Sequence, residues 1–271
     1  MSLRWRDEVR IRFGTSGITL ARHPRGWQRP INRERVRSVE DGPLSWDRAR
    51  DLLRDELQLD GWGHANAHVV LADPWARYAV LPWSPALTDD DEQLAHGRLV
   101  LRQVYGDDLA GWTVRLAQVP PGRSRLVCAL PTRLIDELRD VLDAAQLRLV
   151  SLQPRIVDAY NRWRTRLPDA GAWFVTVDAG HMMAVRTLQD AWTEIHSLRA
   201  GRDWPAALGR LRALERLANP ETSGITRAFV DVAPAERDLE AGAKQGCEWL
   251  DLPSIVDRGL VRLGRLRREV A

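Results

Sequence analysis

Few residues in this sequence stand at spacings that could do chemistry. His64 and His68 are four apart, the separation of two metal ligands on one helix face. Gly61, Gly63 and a strand-like run from Ala67 argue against a helix there, so they read as surface histidines. Asp89, Asp90 and Asp91 would suit a cation, yet their place at the start of a helical pattern already accounts for them, because a helix N-terminus favours negative charge. Ser16 lies between two glycines, but its run joins two strand patterns. A nucleophile elbow joins a strand to a helix. His181 has no acid or nucleophile near it in sequence. Cys128 and Cys247 are the two cysteines, at neither metal-ligand nor redox spacing, and read as buried free thiols.

The elements that hold these residues can be read from periodicity. Val9-Arg-Ile-Arg-Phe13 alternates apolar and charged residues, breaks at Gly14-Thr-Ser-Gly17, and resumes at Ile18-Thr-Leu-Ala-Arg22, the pattern of a β-hairpin with a small-residue turn. Pro24, Gly26 and Pro30 then suggest a loose connection. Ser45 caps a helix over Trp46 to Leu57. Ala67–Ala72 and Tyr78–Leu81, separated by Asp73-Pro74, predict a second strand pair. A helix runs from Thr88 towards Gly106. Strands over Thr113–Val119 and Arg125–Leu130 follow, joined by Pro120-Pro-Gly122. Pro131 opens an amphipathic helix with Leu134, Ile135, Leu138, Val141 and Leu142 on one face. A strand over Leu147–Leu152 and a helix over Arg155–Arg166 lead to Pro168-Asp-Ala-Gly171, a boundary signal. Beyond it come strands over Trp173–Val177, Met182–Leu188 and Ala191–Ser197, with a turn at Asp178-Ala-Gly180, then a helix over Trp204–Ala218, a strand over Ala228–Val232 and a short remainder. Each half opens with strand, small-residue turn and strand, so the chain reads as an internal repeat at fold level.

Bulk properties narrow the function. At 271 residues, 44% hydrophobic and 28% charged, the chain can bury a full core without disulfides. The net charge of +3 comes from arginines that alternate with acids almost everywhere, and Lys244 is the one lysine, which argues against nucleic acid as a partner. The concentrated exception is the tail, Arg258, Arg262, Arg265, Arg267 and Arg268 among Leu260, Leu263 and Leu266. It reads first as a solvated helix and second as a peripheral contact with an anionic membrane or a surface that packs on a partner. No run reaches the roughly 18 apolar residues of a membrane span, and residues 1 to 12 lack a signal-peptide core, so the expected location is the cytoplasm. Several of the twelve tryptophans are expected in the core.

The order of these elements resembles the actin-like ATPase superfamily and, within it, the PilM-like type IV pilus assembly proteins, with MshI and the cytoplasmic domain of GspL. Val9–Arg22 resembles the first phosphate hairpin, and Phe174–Gly180 the second. Val69–Pro82 with the acidic-start helix resembles the inserted subdomain of the pilus and secretion branch. Leu130–Leu152 and the helix to Trp163 are the most PilM-like part. The resemblance implies an α/β, actin-like (ribonuclease H-like) two-lobed fold with an inserted small α/β subdomain and a shortened second lobe. Its implied boundaries are residues 1–167 for the first lobe, with the insert at about 66–130, and 168–271 for the second lobe and basic tail.

The resemblance also names a site. It implies that Gly14, Thr15, Ser16, Gly17, Asp178 and Gly180 are a vestigial nucleotide site, since in the superfamily such turns offer backbone N–H groups to phosphates while a strand aspartate organises Mg²⁺. Here the position of that aspartate is Arg12, and a cation cannot hold a metal. The phosphate-facing lysine position is Thr19. The adenosine turn corresponds to Val230-Asp-Val-Ala-Pro234, which has no glycine pair. No enzyme activity, cofactor or metal is therefore expected. The implied role is a scaffold of a pilus or type II secretion-like platform, at the inner membrane face, that binds a cytoplasmic peptide of a membrane partner and has scope to self-associate. The alternative is an ATP-dependent switch, with ATP and Mg²⁺ as its cofactors.

Overall fold

The computed structural model describes residues 6–24, 33–38 (backbone), 44–59, 61–87, 89–106, 109–220, 224–233 and 236–250. The arginine-rich tail, the run from residue 25 to 32, Thr88 and Pro234 lie outside these residues. In chain order the strands are β1 (Glu8–Phe13), β2 (Gly17–His23), β3 (Arg33–Ser38), β4 (Asn66–Leu71), β5 (Arg77–Leu81), β6 (Trp112–Leu116), β7 (Arg125–Pro131), β8 (Arg148–Pro154), β9 (Ala172–Asp178), β10 (His181–Leu188), β11 (Ala191–Arg199), β12 (Ala228–Val232) and β13 (Cys247–Trp249). The helices are α1 (Trp46–Leu57), α2 (Asp90–Tyr105), α3 (Thr132–Ala144), α4 (Arg155–Trp163), α5 (Trp204–Ala218) and α6 (Leu239–Lys244). Two compact units result, one from residues 6–75 and 131–155, the other from 76–130 and 156–250.

The first unit is built on a five-stranded sheet in the order β3-β2-β1-β4-β8. β1 runs antiparallel to β2, from Glu8 opposite His23 to Phe13 opposite Ile18, and parallel to β4. Parallel neighbours need a crossover, and α1 supplies it. Alternation in β1 and β2 puts Val9, Ile11, Phe13, Ile18 and Leu20 on the buried face, with Leu53 of α1 and Leu138 and Leu142 of α3 buried alongside. Each such side chain contributes roughly 1.5–3 kcal/mol of transfer free energy. Phe13, Trp46 and Trp75 pack as a ring triad with centroids 5.7–5.8 Å apart. A polar lock joins α1 to α3. Glu137 accepts from Trp46 Nε1 at 2.8 Å, Arg50 Nη1 at 2.9 Å and Arg133 Nε at 2.7 Å.

The second unit repeats that topology as β11-β10-β9-β12-β13, with β9 antiparallel to β10 and parallel to β12. The fold-level duplication expected from sequence is present in the strand order of both sheets. β9 is buried along Ala172–Val177 because helices cover both its faces. On one side Trp173, Val175 and Val177 join Met182, Trp204, Leu208 and Val230 in a core under α5. On the other, Tyr160 of α4 stacks edge-on against Phe174 and Trp192 at 5.8 and 5.1 Å, and its hydroxyl donates to Asp190 Oδ1 at 2.9 Å. Burial pushes that phenol above its ordinary pKa.

The same unit holds the small sheet β5-β7-β6, covered by α2. Asp89 caps α2 by accepting from Asp91 N and Glu92 N at 3.0 and 3.3 Å, a cap worth about 1 kcal/mol. Gly97 lets α2 approach closely, since a Cβ there would lie 3.2 Å from Val127 Cγ1. Tyr105, at the end of α2, closes the outer edge of β5: its hydroxyl accepts from Tyr78 N at 3.3 Å and lies 3.1 Å from Tyr78 O. The Arg77 guanidinium lies over the rings of Tyr105 and Trp112 at 4.8 and 5.4 Å.

Three sequence expectations need correction. The loose connection after Arg22 contains β3, whose sequence Arg-Glu-Arg-Val-Arg-Ser has one apolar residue and gives no alternation to read. Charged edge strands of this kind are common because they resist pairing with other chains. β4 and β5 are not a pair. The one-turn 3₁₀ helix Asp73–Trp75 redirects the chain, so β4 joins the first sheet and β5 pairs with β7. The short remainder contains α6 and β13, which complete the second five-stranded sheet. Both are short beside their counterparts in the first unit: α6 has 6 residues against 13 in α3, and β13 has 3 against 7 in β8.

Glu137 gives a pH-dependent contribution to stability. Hydrogen bonds from Arg133, then Trp46 and Arg50, hold its carboxyl down from 4.5 to about 2, against an opposing effect of burial. A group depressed on folding stabilises above its unfolded pKa, and that contribution fades as pH falls towards the folded value. Denaturant unfolding between pH 5 and about 2 should show this loss, and Glu137→Gln should flatten the pH dependence in that window.

Candidate functional site

The two small-residue turns occupy equivalent places in the two units, each joining the central strand of a five-stranded sheet to its antiparallel neighbour. Gly14, Thr15 and Ser16 link β1 to Gly17, the first residue of β2. The loop is closed on itself by Gly14 N–H donating to Gly17 O at 2.8 Å. Thr15 O accepts from Leu44 N at 2.8 Å, which ties the turn to the approach of α1. Gly14's amide is thus committed to the turn. The positions where the superfamily resemblance sets the metal-organising aspartate and the lysine are Arg12 and Thr19, and they are direct partners across the β1–β2 ladder. One unit therefore has a guanidinium and a hydroxyl opposite each other, and no carboxylate at either position.

The second turn has tighter geometry. Asp178 pairs with His181, leaving Ala179 at φ +46° and Gly180 at φ +76°, both in the left-handed region of a two-residue hairpin turn. Gly180 O accepts from Ala200 N and Gly201 N, each at 2.9 Å, and a Cβ at Gly180 would lie 2.7 Å from Gly201 Cα. Glycine is required here twice, by backbone angle and by space.

Sequence reasoning missed the residue that fills this turn's donor. Ala179 N–H donates to Glu236 Oε1 at 2.7 Å, a charge-assisted hydrogen bond. Glu236 is held from its backbone as well: its carbonyl accepts from the buried Trp204 indole at 3.1 Å, and its N–H donates to Ala233 O at 2.9 Å. A carboxylate from the chain itself thus occupies this turn's amide. No local pattern could have revealed a contact 57 residues distant.

The stretch equated with an adenosine turn is committed to the sheet. Val230 and Val232 enter the core under α5, while Asp231 on the opposite face accepts from Trp163 Nε1 at 3.2 Å, with Arg162 Nη1 at 3.7 Å. Pro234 lies outside the described residues. His64 stands in a loop at φ +61° and His68 in β4, so the two share no helix face. His181 Nε2 lies 3.1 Å from Ser197 Oγ. Asp90 pairs with Arg125 at 2.9 Å. Cys128 and Cys247 are half-buried and make no disulfide, and burial pushes the Cys247 thiol up to about 11.

This arrangement of two repeated sheets, each with a hairpin turn at the end of its central strand, is the actin-like ATPase fold. No protein-family profile matches the sequence, and no curated protein matches it. Solved structures do. The structure of a PilM–PilN type IV pilus biogenesis complex matches with a TM-score of 0.62 at 15% identity, over 90% of this chain and 88% of that one. A Bacteroides thetaiotaomicron protein with an actin-like ATPase fold matches with a TM-score of 0.54 at 11% identity, over 90% and 96%. The cytoplasmic domain of EpsL, an inner membrane component of the type II secretion system of Vibrio cholerae, matches with a TM-score of 0.53 at 11% identity, over 84% and 82%.

Gly180→Ala should strain the turn and collide with Gly201, lowering the unfolding midpoint by an amount equivalent to about 1–3 kcal/mol. Gly14→Ala, at a position without positive φ, should cost less. Paired thermal unfolding curves of the two variants check the contrast.

Proposed function

We propose that this chain is a non-catalytic scaffold of a pilus or type II secretion-like assembly platform, which binds a short cytoplasmic peptide of an inner-membrane partner. The observation that carries the reading is the structural likeness, over most of both chains, to a protein solved as part of a pilus biogenesis complex and to the cytoplasmic domain of a secretion component. An extended peptide can bind a folded domain by adding to a sheet edge or filling an apolar groove, which needs no reaction chemistry. Among the described residues, no helix is long and apolar enough to cross a membrane.

The site geometry supports a role without nucleotide turnover. A phosphate oxygen approaching Ala179 would have to displace the Glu236 carboxylate, and like charges at about 3–4 Å repel strongly where water is scarce. Arg12 stands where Mg²⁺ would need an acid. The vestigial site of Gly14, Thr15, Ser16, Gly17, Asp178 and Gly180 is read accordingly as a pair of structural turns. The reading as an ATP-dependent switch rests on the retained Asp178 and Gly180.

Calorimetric titration with Mg-ATP separates the two. The scaffold reading expects no saturable heat, whereas micromolar affinity would establish the switch. The partner is tested by affinity capture from solubilised inner membranes, followed by titration of a synthetic peptide from the cytoplasmic end of any single-span protein recovered. Micromolar binding of that peptide supports the scaffold, and capture that yields no such protein counts against it.

A further inference from the structure

The second unit carries another constellation, which the reading above does not use. Glu194 and His196 are two apart on β11 and therefore project from one face of the strand. α5 brings Glu215 to the same place. His196 Nε2 lies 3.5 Å from Glu194 Oε2 and 3.5 Å from Glu215 Oε1, and one ligand atom from each of the three lies within 4.8 Å of the others. With bonds of about 2.0–2.1 Å, neighbouring ligands on tetrahedral zinc stand roughly 3.4 Å apart. Both measured separations from the imidazole nitrogen are close to that edge.

The carboxylate oxygens are divided between outer donors and the imidazole, which lies within ion-pair distance of one oxygen of each. Glu194 Oε1 takes the Arg186 guanidinium and Asn219 Nδ2, the latter at 3.3 Å. Glu215 Oε2 takes the same Asn219 Nδ2 at 3.1 Å. On each glutamate the outer donors hold one oxygen, and the other oxygen is the one beside the imidazole. Outer donors that orient carboxylates in this manner are a regular part of protein metal sites. The Trp173 ring, 6.1 Å from the imidazole, forms one wall. Side-chain exposures of 20% for Glu194, 27% for His196 and 17% for Glu215 leave an entry path and room for a solvent ligand.

We propose that Glu194, His196 and Glu215 bind one divalent first-row metal ion, zinc foremost, through His196 Nε2 and one oxygen from each glutamate, with water in the fourth position. An imidazole ligand disfavours magnesium and calcium, which take oxygen. The ion ties β11 to α5 and so braces the second sheet, independently of any nucleotide or peptide.

The test uses tag-free, full-length protein stripped with chelator, then titrated with zinc chloride in a calorimeter, with metal content measured after dialysis. The expected result is one retained zinc per chain, together with a rise in unfolding temperature as zinc is added. His196→Ala and the isosteric Glu215→Gln should each weaken binding by about 100-fold or more, and Asn219→Ala by about 10-fold. His68→Ala should bind as the unaltered protein does, and magnesium should give no saturable signal. If His196→Ala does not fold by circular dichroism, the Glu215→Gln titration decides. Failure of the unaltered protein to retain zinc overturns the proposal, as does retention that folded Glu215→Gln leaves unchanged.

Discussion

The central strand of each five-stranded sheet is paired antiparallel on one side and parallel on the other, and most of the molecule follows from that double pairing. The antiparallel partner can be reached by a tight turn, so β1 passes into β2 and β9 into β10 through a few small residues. The parallel partner cannot. It needs a crossover that returns the chain to the starting end, and a helix laid across one sheet face is the economical solution. α1 and α5 are those helices. Their burial requirement then dictates which strand residues must be apolar, from Val9, Ile11 and Phe13 in one unit to Trp173, Val175 and Val177 in the other.

This dependence explains which parts of the fold were legible in the sequence. β1 and β2 alternate because one face packs on helices, and alternation is a signal that a reader can count. β9 was legible for the opposite reason: helices on both faces make it a continuous apolar run. β3 was illegible because an edge strand held by backbone hydrogen bonds needs few apolar residues. The separation of β4 from β5 was illegible because both runs are apolar and the sequence says nothing of the turn geometry at Asp73–Trp75. β13, a strand of 3 residues, is shorter than any periodicity can register.

The candidate site divides along the same line. The composition of the turns marked Gly14–Gly17 and Asp178–Gly180, and cross-strand register then set Arg12 against Thr19. What local sequence could not supply was Glu236, which reaches Ala179 from a distant segment, nor the grouping of Glu194 and His196 with Glu215, which depends on where α5 settles. Long-range contacts of this kind are set by tertiary packing. An acid at a turn amide and an acid pair beside an imidazole both come from side chains that a reading by elements treats as ordinary surface.

The phenol of Tyr105 occupies the hydrogen-bonding groups of Tyr78 at the rim of the small sheet. An incoming strand that tried to lengthen the sheet at this rim would first have to evict the hydroxyl and would lose two hydrogen bonds before gaining any. Edge-to-edge pairing with another chain at this point of the rim is thereby disfavoured.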